Sequence, residues 1–287
     1  MSDQALSPNP SPPPAPGPAA PVLEVDSVYK HFGGIRAVNG ATFSVPEGSI
    51  TALIGPNGAG KTTLFNIITG ADDPTEGTIK FCGDDVTTAR NFEMARMGVA
   101  RTFQNIRLWK EMSVLDNMML AAPDQPGETL FGLLTRRGAN SRREEEVAER
   151  AMELLGSFNL AEKASDYAGT LSGGQRKLLE LARALMAEPR TLLLDEPMAG
   201  INPTLGRRLL QHMRDLRSDH GVTFVFIEHD MDVVMQHSDE VIVLAQGDTV
   251  IKGPPDVIRG DERVIDAYLG GGGRDEPGPE ARRRPPR

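Results

Sequence analysis

Residues 55–63 read Gly-Pro-Asn-Gly-Ala-Gly-Lys-Thr-Thr and follow directly on an apolar run at 50–54. They fit the phosphate-loop pattern G-x-x-x-x-G-K-[ST], which needs a strand before it and a helix after it. Gly55, Gly58 and Gly60 let the backbone turn tightly and approach phosphate oxygens with no Cβ in the way. Pro56, which has no N–H to give, Asn57 and Ala59 complete the loop, whose other successive N–H groups form an anion nest. A helix starting near Lys61 adds its positive end. Lys61 is placed to reach the β- and γ-phosphates of ATP, the Thr62 hydroxyl suits Mg²⁺, and Thr63 completes the nucleotide-binding loop. The apolar run at 64–69 carries that helix to Gly70, a natural helix stop. A glycine-rich surface turn, the alternative, explains neither flank.

A second element supplies the carboxylates. Leu192, Leu193 and Leu194 read as a strand buried on both faces, as in a parallel sheet. Ligands of open α/β sheets sit at the carboxyl ends of such strands, where Asp195 and Glu196 emerge. Asp195 is placed to hold Mg²⁺ through water. Glu196, pointing elsewhere, is placed to act as general base on the attacking water. The run at 222–227 is another strand, ending in Glu228-His229-Asp230. A lone histidine is more often structural. At a strand's carboxyl end, His229 reads instead as a contact to the γ-phosphate or the water.

The chain has 287 residues, a net charge of -9 and one cysteine, Cys82. The negative balance argues against a general nucleic-acid binder. One cysteine excludes a disulfide within the chain and makes a cysteine zinc site implausible. Cys82 reads as a small apolar residue near a strand's end. No apolar run reaches the roughly 18–20 residues that span a bilayer, and the start lacks a signal peptide's basic and apolar regions. The expectation is a protein neither exported by that route nor embedded in the membrane. Residues 1–21, rich in Pro, Ala and Ser, read as a disordered tail, and 271–287, with Gly, Pro and an arginine cluster, as another.

Between the tails the pattern is α/β. Strands are expected at 41–45, 49–54, 78–82, 191–194, 222–227 and 240–245, with a hairpin into 249–252 and a further strand ending at Phe103. The region 105–189 reads as a helical insertion. Val147, Ala151, Leu154, Leu155 and Phe158 share one helix face, and Glu144, Glu145 and Glu146 are expected at that helix's start as a solvated face.

Within the insertion, Leu171-Ser172-Gly173-Gly174-Gln175 supplies a hydroxyl, two glycines and a helix start, a second candidate phosphate binder. Ser172 is a natural N-cap there. This stretch resembles the signature motif of ATP-binding cassette (ABC) ATPases. The resemblance implies an α/β P-loop NTPase (RecA-like) core with an antiparallel β subdomain and an inserted α-helical subdomain, over residues 22–270. It also implies that Ser172, Gly173, Gly174 and Gln175 serve the ATP of a second subunit. Phe32, before Gly33-Gly34, is similar to the aromatic residue that stacks on adenine. Gln104 is similar to the glutamine that reaches Mg²⁺ and senses the γ-phosphate. Gly200-Ile201-Asn202-Pro203 matches the loop that contacts the opposite subunit, except that Asn202 stands where the family commonly has aspartate.

The stretch 100–121, the phrases 195–203 and 227–231, and the ending 264–271 narrow the resemblance to the ATPases of branched-chain amino acid importers. It implies a second, often non-identical ATPase subunit, two membrane permeases, a solute-binding protein met indirectly, and residence at the cytoplasmic face of the inner membrane. Ile106, Leu108, Trp109, Met112, Val114 and Leu115 form either a permease-docking cleft or ordinary core. A soluble relative acting on DNA or ribosomes is the rival reading. Those proteins usually carry coiled-coil arms, zinc cysteines or a second cassette, none of which is seen here. A non-enzymatic nucleotide switch is at odds with the intact Lys61, Asp195, Glu196 and His229.

Overall fold

The computed structural model describes residues 21–102, 108–123 and 137–269. The chain enters on β1 (Pro21–Phe32) and returns as β2 (Ile35–Pro46). Strand β3 (Ile50–Ile54) runs into α1 (Lys61–Ile68). Then come β4 (Glu76–Phe81), β5 (Asp84–Asp85), α2 (Asn91–Arg96) and β6 (Val99–Arg101). The helical segment holds α3 (Val114–Met119), α4 (Arg137–Ser157) and α5 (Gly173–Leu185). The core resumes with β7 (Thr191–Asp195), α6 (Pro203–His220), β8 (Thr223–Ile227) and α7 (Met231–His237). It closes with β9 (Glu240–Ala245), β10 (Asp248–Gly253), α8 (Pro255–Arg259) and α9 (Glu262–Leu269).

Two sheets form among the described residues. One is antiparallel, in the order β2-β1-β4-β5; the other runs β10-β9-β3-β8-β7-β6 and is parallel except at β10. Alternation explains how the parallel sheet is covered on both faces. Ile50, Ala52, Ile54, Leu192, Leu194, Phe224 and Phe226 pack against the helical segment. Their neighbours Leu53, Leu193, Val225 and Ile227 pack against α1 and the antiparallel sheet. A fully buried Leu or Phe contributes roughly 1.5–3 kcal/mol, so this two-faced burial is the main support of the strand ends that carry the site.

Several boundaries shift against the sequence expectations. Pro21 belongs to β1 rather than to the tail, β3 starts at Ile50, β4 runs over 76–81 and β8 starts at Thr223. The strand expected to end at Phe103 ends at Arg101, and Phe103 lies outside the described residues. Glu144, Glu145 and Glu146 do not open their helix: α4 begins at Arg137, so they are exposed residues of its interior and the macrodipole plays no part. The apolar face of α4 is as expected, with Ala151, Leu155 and Phe158 buried. Cys82 is not packed as a small apolar residue. It is exposed, in a left-handed turn conformation (φ 52°) just after β4.

Candidate active site

Register brings the site together. Leu53 and Asp195 both pair with Ile227, so β3, β7 and β8 end at one level. The segments that follow, 55–60, 196–200 and 228–230, therefore share one edge of the parallel sheet. The phosphate loop occupies the first. Gly60 has φ 96°, and a Cβ there would stand 2.2 Å from the Ala37 carbonyl oxygen. Only glycine fits so close to β2 in this backbone region. The loop is also tied to the β9–β10 turn, where Gly247 N–H donates to Ala59 O at 3.1 Å.

Lys61 is buried, at 7% exposure, and its Nζ donates to Gly55 O at 2.7 Å and Pro56 O at 2.9 Å. Burial lowers its pKa, and the nearby Glu196 and Asp195 charges pull it back up. Thr62 is exposed and Thr63 half-buried on the first turn of α1. Asn57 and Gly58 are exposed, Pro56 is half-buried and Ala59 buried.

At the end of β7, Asp195 is buried and forms a 3.0 Å ion pair with Arg101. Arg101 also donates to Asn66 Oδ1 of α1 at 2.6 Å, which ties β6, α1 and β7 to one guanidinium. Glu196 departs from ordinary backbone geometry, with φ 49°. Its N–H donates to Ile227 O at 3.0 Å, and its carboxylate Oε1 lies 2.9 Å from His229 Nε2. A carboxylate held in direction by a neighbouring imidazole is an arrangement that general-base chemistry can use. His229 thus meets Glu196 directly.

Phe32 is exposed (50%) at the tip of the β1–β2 hairpin, with Lys30 Nζ 5.1 Å from its ring centre. Ser172 caps α5. Its Oγ accepts Gln175 N–H at 3.3 Å, and Gln175 Oε1 accepts Ser172 N–H at 3.0 Å, a complete capping box. Ser172 and Gly173 are exposed, while a Cβ on Gly174 would meet Leu205 Cδ2 at 2.4 Å. Asn202 caps α6 by accepting Leu205 N–H at 2.9 Å. Asparagine caps as well as aspartate does, so the departure from the common family residue costs this helix nothing. Gln104 lies outside the described residues.

Three residues in this site escaped the sequence reading: Arg101, Lys177 and Glu228. Glu228 stood in view beside His229 with no role attached. Its position at the end of an apolar strand was the available signal.

This arrangement has counterparts among known proteins. Residues 38–199 match the family model described as ABC transporter. The chain belongs to the ABC transporter family. This cassette also matches, over residues 252–274, the model described as Branched-chain amino acid ATP-binding cassette transporter. It is 44% identical to the high-affinity branched-chain amino acid transport ATP-binding protein BraF of Pseudomonas aeruginosa, over 87% of this chain and 98% of that protein. It is 41% identical to LivG of Escherichia coli K12, which carries the same description, again over 87% of this chain and 98% of LivG. Among solved structures, the ADP conformation of MJ1267, an ATP-binding cassette of an ABC transporter, superposes with a TM-score of 0.75 at 35% identity. That match covers 88% of this chain and all (100%) of the other. The post-hydrolysis dimer of the cassette MJ0796 with ADP and Pi superposes with a TM-score of 0.68 at 27% identity, over 81% and 98% of the two chains. The fold expected from the sequence, an α/β P-loop NTPase core with an antiparallel sheet and a helical segment, is the fold observed. The cassette is a transport ATPase, and the rival reading of an ATPase acting on DNA or ribosomes finds no support among these relatives.

Proposed function

We propose that this cassette hydrolyses Mg-ATP with Glu196 as base to energise an importer of branched-chain amino acids or a related small polar solute. The observation that carries the chemistry is the Glu196–His229 contact of 2.9 Å at the sheet edge that also bears the Lys61 loop. The solute class rests on the named relatives and on the match at 252–274. Lys61 binds the β- and γ-phosphates and the loop N–H groups of 55–63 cradle them. Phe32, exposed at the hairpin tip, stacks on adenine. His229 orients Glu196 and meets the γ-phosphate end of the nucleotide.

The site's donors suit magnesium. The Thr62 hydroxyl and the Asp195 carboxylate are hard oxygen ligands, and Mg²⁺ prefers one or two of these with phosphate oxygens and water. Gln104 joins them on the resemblance. Bound there, the ion would neutralise phosphate charge. Ser172, Gly173, Gly174 and Gln175 present an exposed helix N-terminus that fits the ATP of a second, non-identical or identical, ATPase subunit. The dimeric neighbour supports that pairing.

The membrane partners are two permeases, met at the cytoplasmic face, with a solute-binding protein beyond them. No described helix is long and apolar enough to cross a membrane itself. The docking surface is a groove of about 530 Å³ bounded by Leu108, Trp109, Leu120, Ala121 and Arg183. Trp109 is 61% exposed, whereas Val114 is fully buried core. The Trp109 backbone is held in place by the buried Asn117, which accepts its N–H and donates to its carbonyl, both at 2.9 Å. Large exposed aromatics on a fixed backbone are frequent interface anchors. Purification of the cassette from native membranes is expected to bring two multispanning chains with it. A Trp109→Glu variant should keep the basal ATPase rate of the isolated subunit and lose most of those chains and of solute uptake. Normal uptake by that variant would place the docking surface elsewhere, and copurification with ribosomes or DNA in place of permeases would overturn the transport reading.

A further inference from the structure

The backbone turn that carries Glu196 is held from two sides by charged residues to which the reaction described above gives no task. On one side Lys177, on the second turn of α5, donates from Nζ to the Glu196 carbonyl oxygen at 3.0 Å. The same carbonyl accepts the Ala199 N–H at 3.1 Å, closing the turn. On the other side Glu228, only 4% exposed, accepts the Met198 N–H at 2.7 Å and the His229 N–H at 3.2 Å. One buried carboxylate therefore joins the turn after Glu196 to the residue that orients Glu196.

Such a hold has a physical reason. Glu196 sits at φ 49°, a strained region that a non-glycine residue keeps only where the surroundings impose it. A charged donor on its carbonyl and a charged acceptor on the next N–H along the chain, that of Met198, supply that imposition. Charge-assisted hydrogen bonds are about twice as strong as neutral ones. Burial is costly for both groups. It lowers the pKa of Lys177 and raises that of Glu228, and each lies in the other's field. Buried charges without a reacting partner are rare unless they hold something.

We propose that Lys177 and Glu228 are positioning residues that clamp the Glu196 turn in its working geometry and bind it to α5. The consequence follows from the helix. Its first turn is the Ser172-Gly173-Gly174 cap, exposed towards a second subunit's nucleotide, and its second turn holds this chain's own base. A shift of α5 at its N-terminus is passed to Glu196 through Lys177 within a single rigid element. The inference rests on Glu196 being the base, and the test separates the two.

The test is single-turnover ATP hydrolysis by the full chain, with ATP affinity measured beside it. Lys177→Met keeps the length of the side chain and removes the charge. Its hydrolysis rate is expected to fall at least 10-fold with ATP affinity within about twofold of the parent, and Lys177→Arg should recover most of the loss. Glu228→Gln should lose rate in the same way, because its amide sets a donor against one of the two N–H groups. Placed on a Glu196→Gln background, Lys177→Met should cost nothing further, since it acts only through the group already removed. A merely structural role would instead multiply the two losses and lower the nucleotide-binding stoichiometry. Full hydrolysis by Lys177→Met, or multiplied losses in the double variant, would overturn the proposal. The Glu196→Gln variant alone reports on the base.

Discussion

Replacing Glu196 by glutamine is expected to leave ATP binding intact and to slow hydrolysis by roughly 10²–10⁴-fold, the range a general base supplies. Glutamine keeps the size of the side chain and can still meet His229 Nε2 across the 2.9 Å contact. The backbone hydrogen bonds of the turn, to Ile227 O and from Ala199 N–H, do not involve the side chain at all. What disappears is the ability to take a proton from water. ATP-bound protein should therefore accumulate, and with it a longer-lived dimer, more visible on a sizing column. Hydrolysis near the parent rate would remove Glu196 from the base's place and leave His229 as the next group to test.

Replacing Lys61 by alanine acts at the earlier step. Its ammonium already donates to two loop carbonyls, so it is a cation held within the cradle at some cost in hydration. Charge-assisted hydrogen bonds contribute about 1.5–3 kcal/mol, which corresponds to roughly 10–100-fold in ATP affinity. Removing the ammonium also ends its desolvation, which offsets the lost carbonyl contacts in the nucleotide-free protein. The expected signature is a large rise in Kd for a fluorescent ATP analogue with little change in melting temperature. An unchanged Kd would mean that 55–63 is not the nucleotide site.

How much of this was readable in advance varies with how local the signal is. The phosphate loop, the Leu192–Leu194 strand and the Ser172 cap each state their role within a few residues, so their geometry could be anticipated. Strand β1 could not. It opens on a proline, and its pairing slips between Val25 and Val28, where Ser27 takes φ 50°. Those irregularities break the period of two on which a strand is recognised. Helix α6 was legible but passed over, although Asn202-Pro203 opens it and Gly221 closes it in a left-handed cap. Arg101, Lys177 and Glu228 are a different case. Their partners are Asp195, Glu196 and Met198, and nothing in a linear pattern tells a lysine on a helix that it will meet a carbonyl on another element. Such partners are set by packing alone.

With Asp195 as the magnesium ligand proposed above, the Arg101–Asp195 pair would set the order in which this machine is loaded. Asp195 has its countercharge built into the chain, and the same guanidinium braces Asn66 on the helix behind the phosphate loop. A free magnesium ion arriving alone would have to compete with a neighbour that is covalently present at all times and shed part of a tightly held water shell as well. The triphosphate changes that balance by bringing its own oxygens to the ion. Magnesium should accordingly enter as the nucleotide's passenger, not as a tenant awaiting it. Calorimetric titration with magnesium chloride alone is expected to show no saturable heat, and a chelator should leave the melting temperature of the nucleotide-free protein where it was. A saturable metal site without nucleotide would show that Arg101 yields its place unaided.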